Sequence, residues 1–577
     1  MSERNSQFMA KTPTTLTDLE RLSHHDSQLV VTDSGGRWPV GFMLCTLAFL
    51  ACILLTVTPL SRMPDPVLHH LRIGWGAFLG EASQWLPANL GPTYQKSSAA
   101  IEFFCLITLA FCCYCLGLWL VGRWTDNTRR WPVNACIWLG LILAGAIYLV
   151  TPGVREHDIE AYAGYSRLLA VYHANPYFTT LSAFPHDPVM PTDVWAGTTS
   201  AYGPVWMLVC ALLGWLLKQP TPEAYIIGFR VVALAAHLLN TWLVYRILRG
   251  LGRSPRVCSL GMLLYGWSPL VLIDSAQDAH LDLLMLTFVL LGILLAAQAE
   301  QRDELLRARG YLPPILALTL AALVKYTILP VLVAYLLLLA CKALHPTAAS
   351  PLAWREALDN WRVAVRLLCL GCLVSVLLTL AFYAPFWFGH SPGAIIASFN
   401  NNPVATWAEN SIMRSVISWW HFHPEQNGNP LLLFFSQRQV WNVINYLAIA
   451  LCLVIGTRRL WTTPTVSAFL TLALAMMCLV LLLTPWFFAW YITWIVVLAV
   501  VTLPARRSRI LWAFFFLALT FSYSALTLYL FHENLLDSHG YLDTLVDAGP
   551  PICVFLFCWL YYPRLRMKAK PLDSGSL

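Results

Sequence analysis

The chain has 577 residues, of which 58% are hydrophobic and only 12% charged, and it carries 25 Trp. That balance excludes an ordinary soluble globular protein and fits a chain that crosses a membrane many times. The formal charge of +7 comes from Lys and Arg gathered mostly in short loops, where they set orientation, so it does not point to a nucleic-acid partner.

Residues 1–37 are polar, rich in Ser and Thr, and lack the charged, apolar, small-residue order of a cleavable leader, so the first apolar run is expected to stay in the membrane. Apolar runs follow at about 38–60, 100–121, 131–150, 225–247, 257–273, 281–299, 312–324, 327–341, 367–387, 441–457, 464–483, 488–503, 510–530 and 550–562. These are about 14 candidate spans once tilt and interfacial residues are allowed. All 16 Cys fall in or beside apolar runs, which predicts buried thiols and no disulfide framework.

Between the third and fourth runs stands the polar stretch REHDIEAYAGYSRLLAVYHANPYFT, residues 155–179. Asp158 heads a helical face on which Tyr162, Tyr165, Leu169 and Tyr172 recur at steps of three and four, and Asn175-Pro176 is the expected stop. An amphipathic helix of this kind is expected at the membrane interface, holding a carboxylate just outside the apolar slab.

The next apolar run, AYGPVWMLVCALLGWLL at 201–217, is excluded as a full crossing by the basic clusters that follow. With 14 spans and an inside start, Arg123/Arg129/Arg130, Arg249/Arg253/Arg256, Arg302/Arg307/Arg309, Arg355/Arg362/Arg366, Arg458/Arg459, Arg506/Arg507/Arg509 and Arg564/Arg566/Lys568/Lys570 all face the cytoplasm. One more crossing inverts every cluster after the first, so 201–217 is expected to be a re-entrant helix. By the same test the run 312–341 is two short crossings meeting at Lys325-Tyr326, on the outer side with Asp158. Both termini are then cytoplasmic. The expected organisation is a tail at 1–37, a membrane domain at 38–562 with a core at about 131–503, and a basic tail at 563–577.

The outer segments hold the unusual chemistry. Asp158 is the candidate general base, because transfer to a hydroxyl needs a carboxylate within hydrogen-bond reach of that hydroxyl; a helix-capping role is the alternative, and Glu156 and Glu160 stand close by. In SAQDAHL, Asp278 and His280, with Asp282 beyond, can bind a substrate or cap the next helix, and a divalent metal there is the less favoured possibility. Lys325 and Arg414 are the candidate cations for a departing phosphate, with a snorkelling lysine as the alternative for Lys325. His421 and His423 share the loop of Arg414, and Trp486, Trp490 and Tyr491 can stack on a sugar or serve as interfacial belt residues.

The motifs HDIEAYAGYSRLLAVYHANPY, SAYGPVW, SAQDAHLDLLML, AALVKYTILPVLVAY, ENSIMRS and TPWFFAWYITW run in this order from about residue 155 to 495. In that order they resemble the GT-C superfamily of integral-membrane glycosyltransferases, in particular bacterial polyprenyl-phosphate-mannose-dependent α-mannosyltransferases. The resemblance implies an all-α polytopic membrane enzyme of the bacterial inner or plasma membrane, with its site on the outer face. It further implies direct displacement on a polyprenyl-phosphate hexose, most naturally mannose, by a glycan or glycolipid hydroxyl, with Asp158 as base. Carried over motif by motif, the substrate-binding candidates are His157, Tyr162, Tyr202, Asp278, His280, Lys325, Tyr326, Asn410, Arg414, His421, Trp486 and Tyr491, with no metal ligand assigned. The implied partners are the lipid-linked donor, the acceptor and membrane lipids. A transporter or lipid-linked-sugar flippase is the rival class, since it too combines broken helices with intramembrane Lys and Asp.

Overall fold

The computed structural model describes residues 37–60, 92–123, 131–151, 158–217, 221–344, 360–400, 411, 413, 416, 428–486 and 488–502. These residues are helical, with no β-sheet among them. Among the described residues, eight helices are long and apolar enough to cross a membrane: Val40–Leu60, Cys105–Gly122, Pro132–Leu149, Pro222–Gly250, Asp282–Gln301, Tyr326–Leu344, Trp361–Trp387 and Arg438–Thr462. A bent pair, Pro255–Gly266 with Pro269–Gln277, makes a ninth if counted as one span. The chain is thus an all-α protein with the make-up of a membrane protein. The runs predicted at 510–530 and 550–562 lie outside the described residues.

Helix α1 (Arg37–Leu60) packs along α2 (Pro92–Gly122) and α3 (Trp131–Leu149). The next two elements are short, α4 (Asp158–Ala170) and α5 (Pro204–Leu217), and they pack on each other. The pairing is close because Gly214 has no side chain: a Cβ there would stand 2.6 Å from the Ser166 carbonyl oxygen. At 14 residues α5 is about 21 Å long, short of the ~30 Å apolar slab.

The chain predicts α4 running to Asn175 with an aromatic face at the interface, and the structure differs on both counts. The helix ends at Ala170, where Tyr172 N donates to the Arg167 carbonyl (3.1 Å) and Ala174 N to that of Leu168 (2.8 Å), while His173 takes a φ of 50°. This left-handed turn stops the helix four residues before the Pro can. Nor does its face lie open, since Tyr162 and Tyr165 are buried in protein, with Trp206 and Phe229 edge-on to Tyr162.

Helices α6 (Pro222–Gly250) and α7 (Pro255–Gly266) begin with a hydroxyl residue followed by Pro, Thr221-Pro222 and Ser254-Pro255. Pro at the first helical position costs no hydrogen bond and presets φ. Ser268-Pro269 repeats the pattern inside what the sequence reads as one span. The residue before Pro is driven out of the helical region, so α7 stops at Gly266 and α8 (Pro269–Leu272) leaves at 52°. Trp267 fills the bend, stacked on Phe49 at 4.8 Å and donating from Nε1 to the Ile137 carbonyl at 2.9 Å.

From α8 the backbone widens into a π-helical turn, Ile273–Gln277, in which Asp278 N donates to the Ile273 carbonyl. The turn packs on α3 and α6 and buries Asp274, Ser275 and Gln277. Helices α9 (Asp282–Gln301) and α10 (Ala308–Val324) follow as a closely packed pair. At Lys325 the backbone turns extended (φ −149°, ψ 115°), a 3-10 turn spans Tyr326–Ile328, and α11 (Leu329–Leu344) carries the chain on. The predicted break at Lys325-Tyr326 is therefore present. Beyond it lie α12 (Trp361–Trp387), α13 (Pro392–Asn400), α14 (Pro430–Phe435), α15 (Arg438–Thr462), α16 (Val466–Leu483) and α17 (Ile492–Val501).

Candidate functional site

Three chain segments meet at one end of the helices. The first is the start of α4, which presents Asp158. The second is the loop from α4 to α5, which delivers Tyr202. This loop is held by its own polar contacts: Arg167 pairs with Asp187, Tyr172 donates to Asp187 at 2.8 Å, and the Tyr177 hydroxyl donates to the Tyr202 carbonyl at 2.8 Å. Gly203 then lets the loop touch the end of α10. Its N–H donates to the Val324 carbonyl at 3.0 Å, and a Cβ there would fall 2.0 Å from the Leu323 carbonyl oxygen. Only glycine permits that approach, which sets Tyr202 beside Lys325.

The third segment runs from Thr484 to Trp494 and is aromatic. Phe488 stacks on Trp490 at 4.4 Å and Tyr491 on Trp494 at 4.4 Å, giving a wall that faces α4 and the α4–α5 loop. With a fourth segment, the α10–α11 break at Lys325 to Thr327, these three enclose a pocket of about 110 Å3, lined among others by Asp158, Tyr202, Lys325, Tyr326, Trp486 and Tyr491. Tyr165, Trp195, Thr198 and Thr199 complete the near side.

Asp158 keeps one-fifth of its side-chain surface exposed. Its Oδ2 accepts from the Tyr202 hydroxyl at 2.9 Å, and the Tyr162 hydroxyl stands at 3.5 Å. Burial pushes this carboxyl above the usual carboxylate range, while Lys325 and the Tyr202 hydrogen bond pull it back. Burial and the Asp158 charge hold the Tyr202 hydroxyl well above its ordinary value, so it stays a donor.

Lys325 enters the same pocket from the break between α10 and α11. Its Nζ lies 3.0 and 3.2 Å from the two carboxylate oxygens of Asp282, the first residue of α9, and Trp494 Nε1 also donates to Asp282, at 2.6 Å. The ammonium sits 4.3 Å from the Tyr491 ring centre and 5.0 Å from that of Trp494. Asp282 is 1% exposed in its side chain and Lys325 11%. The lysine is thus a held cation with one face to the pocket, where a purely snorkelling side chain would have left this pairing unmade.

Of the candidate residues, the structure brings Asp158, Tyr202, Lys325, Tyr326, Trp486 and Tyr491 onto one pocket, with Tyr162 directly behind Asp158. Asp278 and His280 are buried and do not line it. His157, Asn410, Arg414 and His421 lie outside the described residues, as do Glu156 and His423. Among the described residues no group of three or more His, Cys, Asp or Glu is placed to hold a metal ion. Trp494 and Trp195 join the site without standing among the candidates, and Asp282, weighed above beside Asp278 and His280, joins it as the partner of Lys325. For Asp282 the signal is there: four carboxylate or imidazole residues in nine, Asp274 to Asp282, ahead of a fully apolar helix.

A family model for the N-terminal domain of alpha-(1->6)-mannopyranosyltransferases matches residues 70–341, which include Asp158, Tyr202, Asp282 and Lys325. Residues 70–341 are therefore similar to the N-terminal domain of alpha-(1->6)-mannopyranosyltransferases. That match supports a glycosyltransferase, with mannose as the sugar named for the family, and it bears out the resemblance stated above. No curated protein and no solved structure matches the chain. The aromatic wall from Thr484 to Tyr491 stands beyond the matched segment.

Proposed function

We propose that this mannosyltransferase-family protein moves a hexose, mannose by preference, from a polyprenyl-phosphate carrier to a hydroxyl of a glycan or glycolipid. The observation that carries the proposal is one pocket holding a hydrogen-bonded carboxylate and a carboxylate-held ammonium, Asp158 and Lys325, beside aromatic rings. In this scheme Asp158 accepts the acceptor's hydroxyl proton as the acceptor oxygen attacks the anomeric carbon. The bond from that carbon to the phosphate oxygen breaks, the anomer inverts, and Lys325 balances the charge gathering on the departing lipid phosphate. Trp486, Trp490 and Tyr491 line the space for the sugar ring, and the apolar helices would receive the lipid tail.

The basic loop clusters support a site on the outer face with the polar tail and the C-terminal basic tail both cytoplasmic. They also support a core at about 131–503, with α5 as a re-entrant element. A cysteine introduced at the exposed Val171 should label from outside and those at Arg253 or Arg507 from inside; the reverse pattern overturns the topology. The reaction is tested with purified protein in lipid, radiolabelled polyprenyl-phosphate mannose and a membrane lipid extract. Asp158→Asn keeps the shape but cannot accept a proton, so transfer should fall by about 10²–10⁴-fold with donor binding retained. Turnover within a few fold of the unaltered protein would leave Asp158 as a helix cap.

A further inference from the structure

Contacts tie the walls of the pocket to one another. Besides the Gly203 contact with α10, Asn175 Nδ2 joins the α4–α5 loop to α12 by donating to the Phe386 carbonyl at 2.6 Å, and Tyr177 packs edge-on to the Phe386 ring at 5.2 Å. Trp195 of the same loop meets Trp486 of the aromatic segment at 6.2 Å. Tyr326 marks an opening, because it lines the pocket and is still 48% exposed.

From Tyr326 an apolar stripe continues onto α11. Leu329, also 48% exposed, is followed at helical spacing by the half-buried Pro330, Val333 and Leu337, so one narrow face of the helix leads away from the pocket. It is about 16 Å long, roughly half the depth of the apolar slab. Neighbours take up the rest of α11. Leu336, at one edge of the stripe, packs against Gly371 of α12, and Tyr335 on the far side meets Phe469 of α16 at 5.6 Å, while α15 packs on α11 as well. Among the described residues, 61% of the apolar stretch of α11 is buried, against 17% in α12 and 0% in α15. The stripe is therefore the floor of a groove, and α12 and α15 are its ridges.

We propose that this groove along α11 holds the first isoprene units of the lipid-phosphate donor, an inference that rests on the donor reading above. Two observations name the occupant: the groove is continuous with the pocket through Tyr326, and its head carries the Lys325 ammonium, the complement of a phosphate. A phosphate held by Lys325 sends its alkyl chain past the next residue, Tyr326, and down α11 into the slab. Surrounding lipid is as apolar as the groove, so burial from water is not what the chain gains there. The gain is close packing between two ridges, and with it an aligned phosphate. Charge fixes one end of the donor and shape the other.

The test compares radiolabelled long-chain polyprenyl-phosphate mannose with isopentenyl-phosphate mannose, whose single isoprene unit ends above Val333, using the full chain in mixed micelles at equal donor mole fraction. Val333→Trp fills the groove part-way down. Its KM for the long donor should rise about ten-fold, the loss of some ten close atom contacts, and its KM for the short donor should stay within about two-fold. Leu47→Trp, on the exposed face of α1, is the control and should change neither. A polyprenyl phosphate with a diazirine in its first isoprene units, irradiated with the unaltered protein, should label α11 between Leu329 and Leu337, which decides the matter if Val333→Trp does not fold. Labels confined to other helices overturn the groove, as does a long-donor KM in Val333→Trp within about two-fold of the unaltered value or an equal rise in Leu47→Trp. In each of those cases transfer from the lipid donor still stands. If the unaltered protein takes mannose from a nucleotide sugar and from neither lipid donor, the donor reading fails and the groove with it.

Discussion

Replacing Lys325 with Met removes the cation that faces Asp282 at 3.0 and 3.2 Å, leaving a carboxylate whose side chain is 1% exposed. Breaking a buried pair from one side costs about 3–5 kcal/mol, where an exposed pair is worth about 0–1 kcal/mol. Trp494 Nε1 still donates to Asp282, which favours the lower end of that range, about 3 kcal/mol. Lys325→Met should therefore lower the melting temperature in detergent by several degrees. The double variant Lys325→Met/Asp282→Leu removes both charges, and replacing a buried pair with apolar groups is often neutral or better. It should melt close to the unaltered protein, so a double-mutant cycle gives a clear coupling between the two sites. Transfer should separate from stability: the double variant regains the fold and not the activity, because the phosphate has lost its cation. If Lys325→Met melts within a degree of the unaltered protein, the pairing contributes nothing. If the double variant transfers at the normal rate, Lys325 plays no part in handling the phosphate.

Tyr202→Phe removes the hydrogen bond that pulls the Asp158 carboxyl downward against burial, so the carboxyl shifts up further. A base works deprotonated, and activity falls as pH drops through its pKa; the acid limb of the rate profile should move to higher pH, with a loss of roughly ten-fold near neutrality. Gly203→Ala sets a Cβ 2.0 Å from the Leu323 carbonyl oxygen and must push the Tyr202 loop off α10, costing about 1–3 kcal/mol by thermal unfolding and up to ~10²-fold in rate. Normal melting and rate in Gly203→Ala would mean the loop tolerates displacement. Trp486→Ala should raise the KM for donor or acceptor more than it lowers the single-turnover rate, since the ring offers a binding face and no proton chemistry.

The parts of the site that alter local sequence pattern are legible in the chain. A lysine in 30 apolar residues marks the break at Lys325, and an acidic helix start between spans marks Asp158. Tyr202 is reached only through the resemblance of SAYGPVW to a family motif. The parts that depend on which elements touch are not legible in this way. Asp282 looks like a helix-capping residue until α9 and α10 pack and bring Lys325 within 3.0 Å of it. Asp274 reads as the first polar residue past a span ending near Ile273. Instead Pro269 breaks that span, and the wider turn that follows carries Asp274 inward. No periodicity of 3.6 anticipates a five-residue turn. The aromatic face of α4 is read correctly as a face and wrongly as an interfacial one, because Trp206 and Phe229 come from elements that hydropathy alone cannot bring to it.

The two sides of the pocket come from distant parts of the chain, Thr484 standing 326 residues after Asp158 and 159 after Lys325, and they differ in kind. One side holds the ionisable groups, Asp158 and Lys325, and lies in the segment that matches the mannosyltransferase family; the other, Thr484 to Tyr491, is aromatic rings and the hydroxyls of Thr484 and Tyr491. In the proposed scheme, proton and charge handling are written in one stretch of the gene, and most of the grip in another. A change at Trp486 or Phe488 can reshape what fits against Asp158 without disturbing any of its hydrogen-bond partners. Exchange of the later stretch between related chains is therefore a route to a new acceptor that leaves the reaction itself in place.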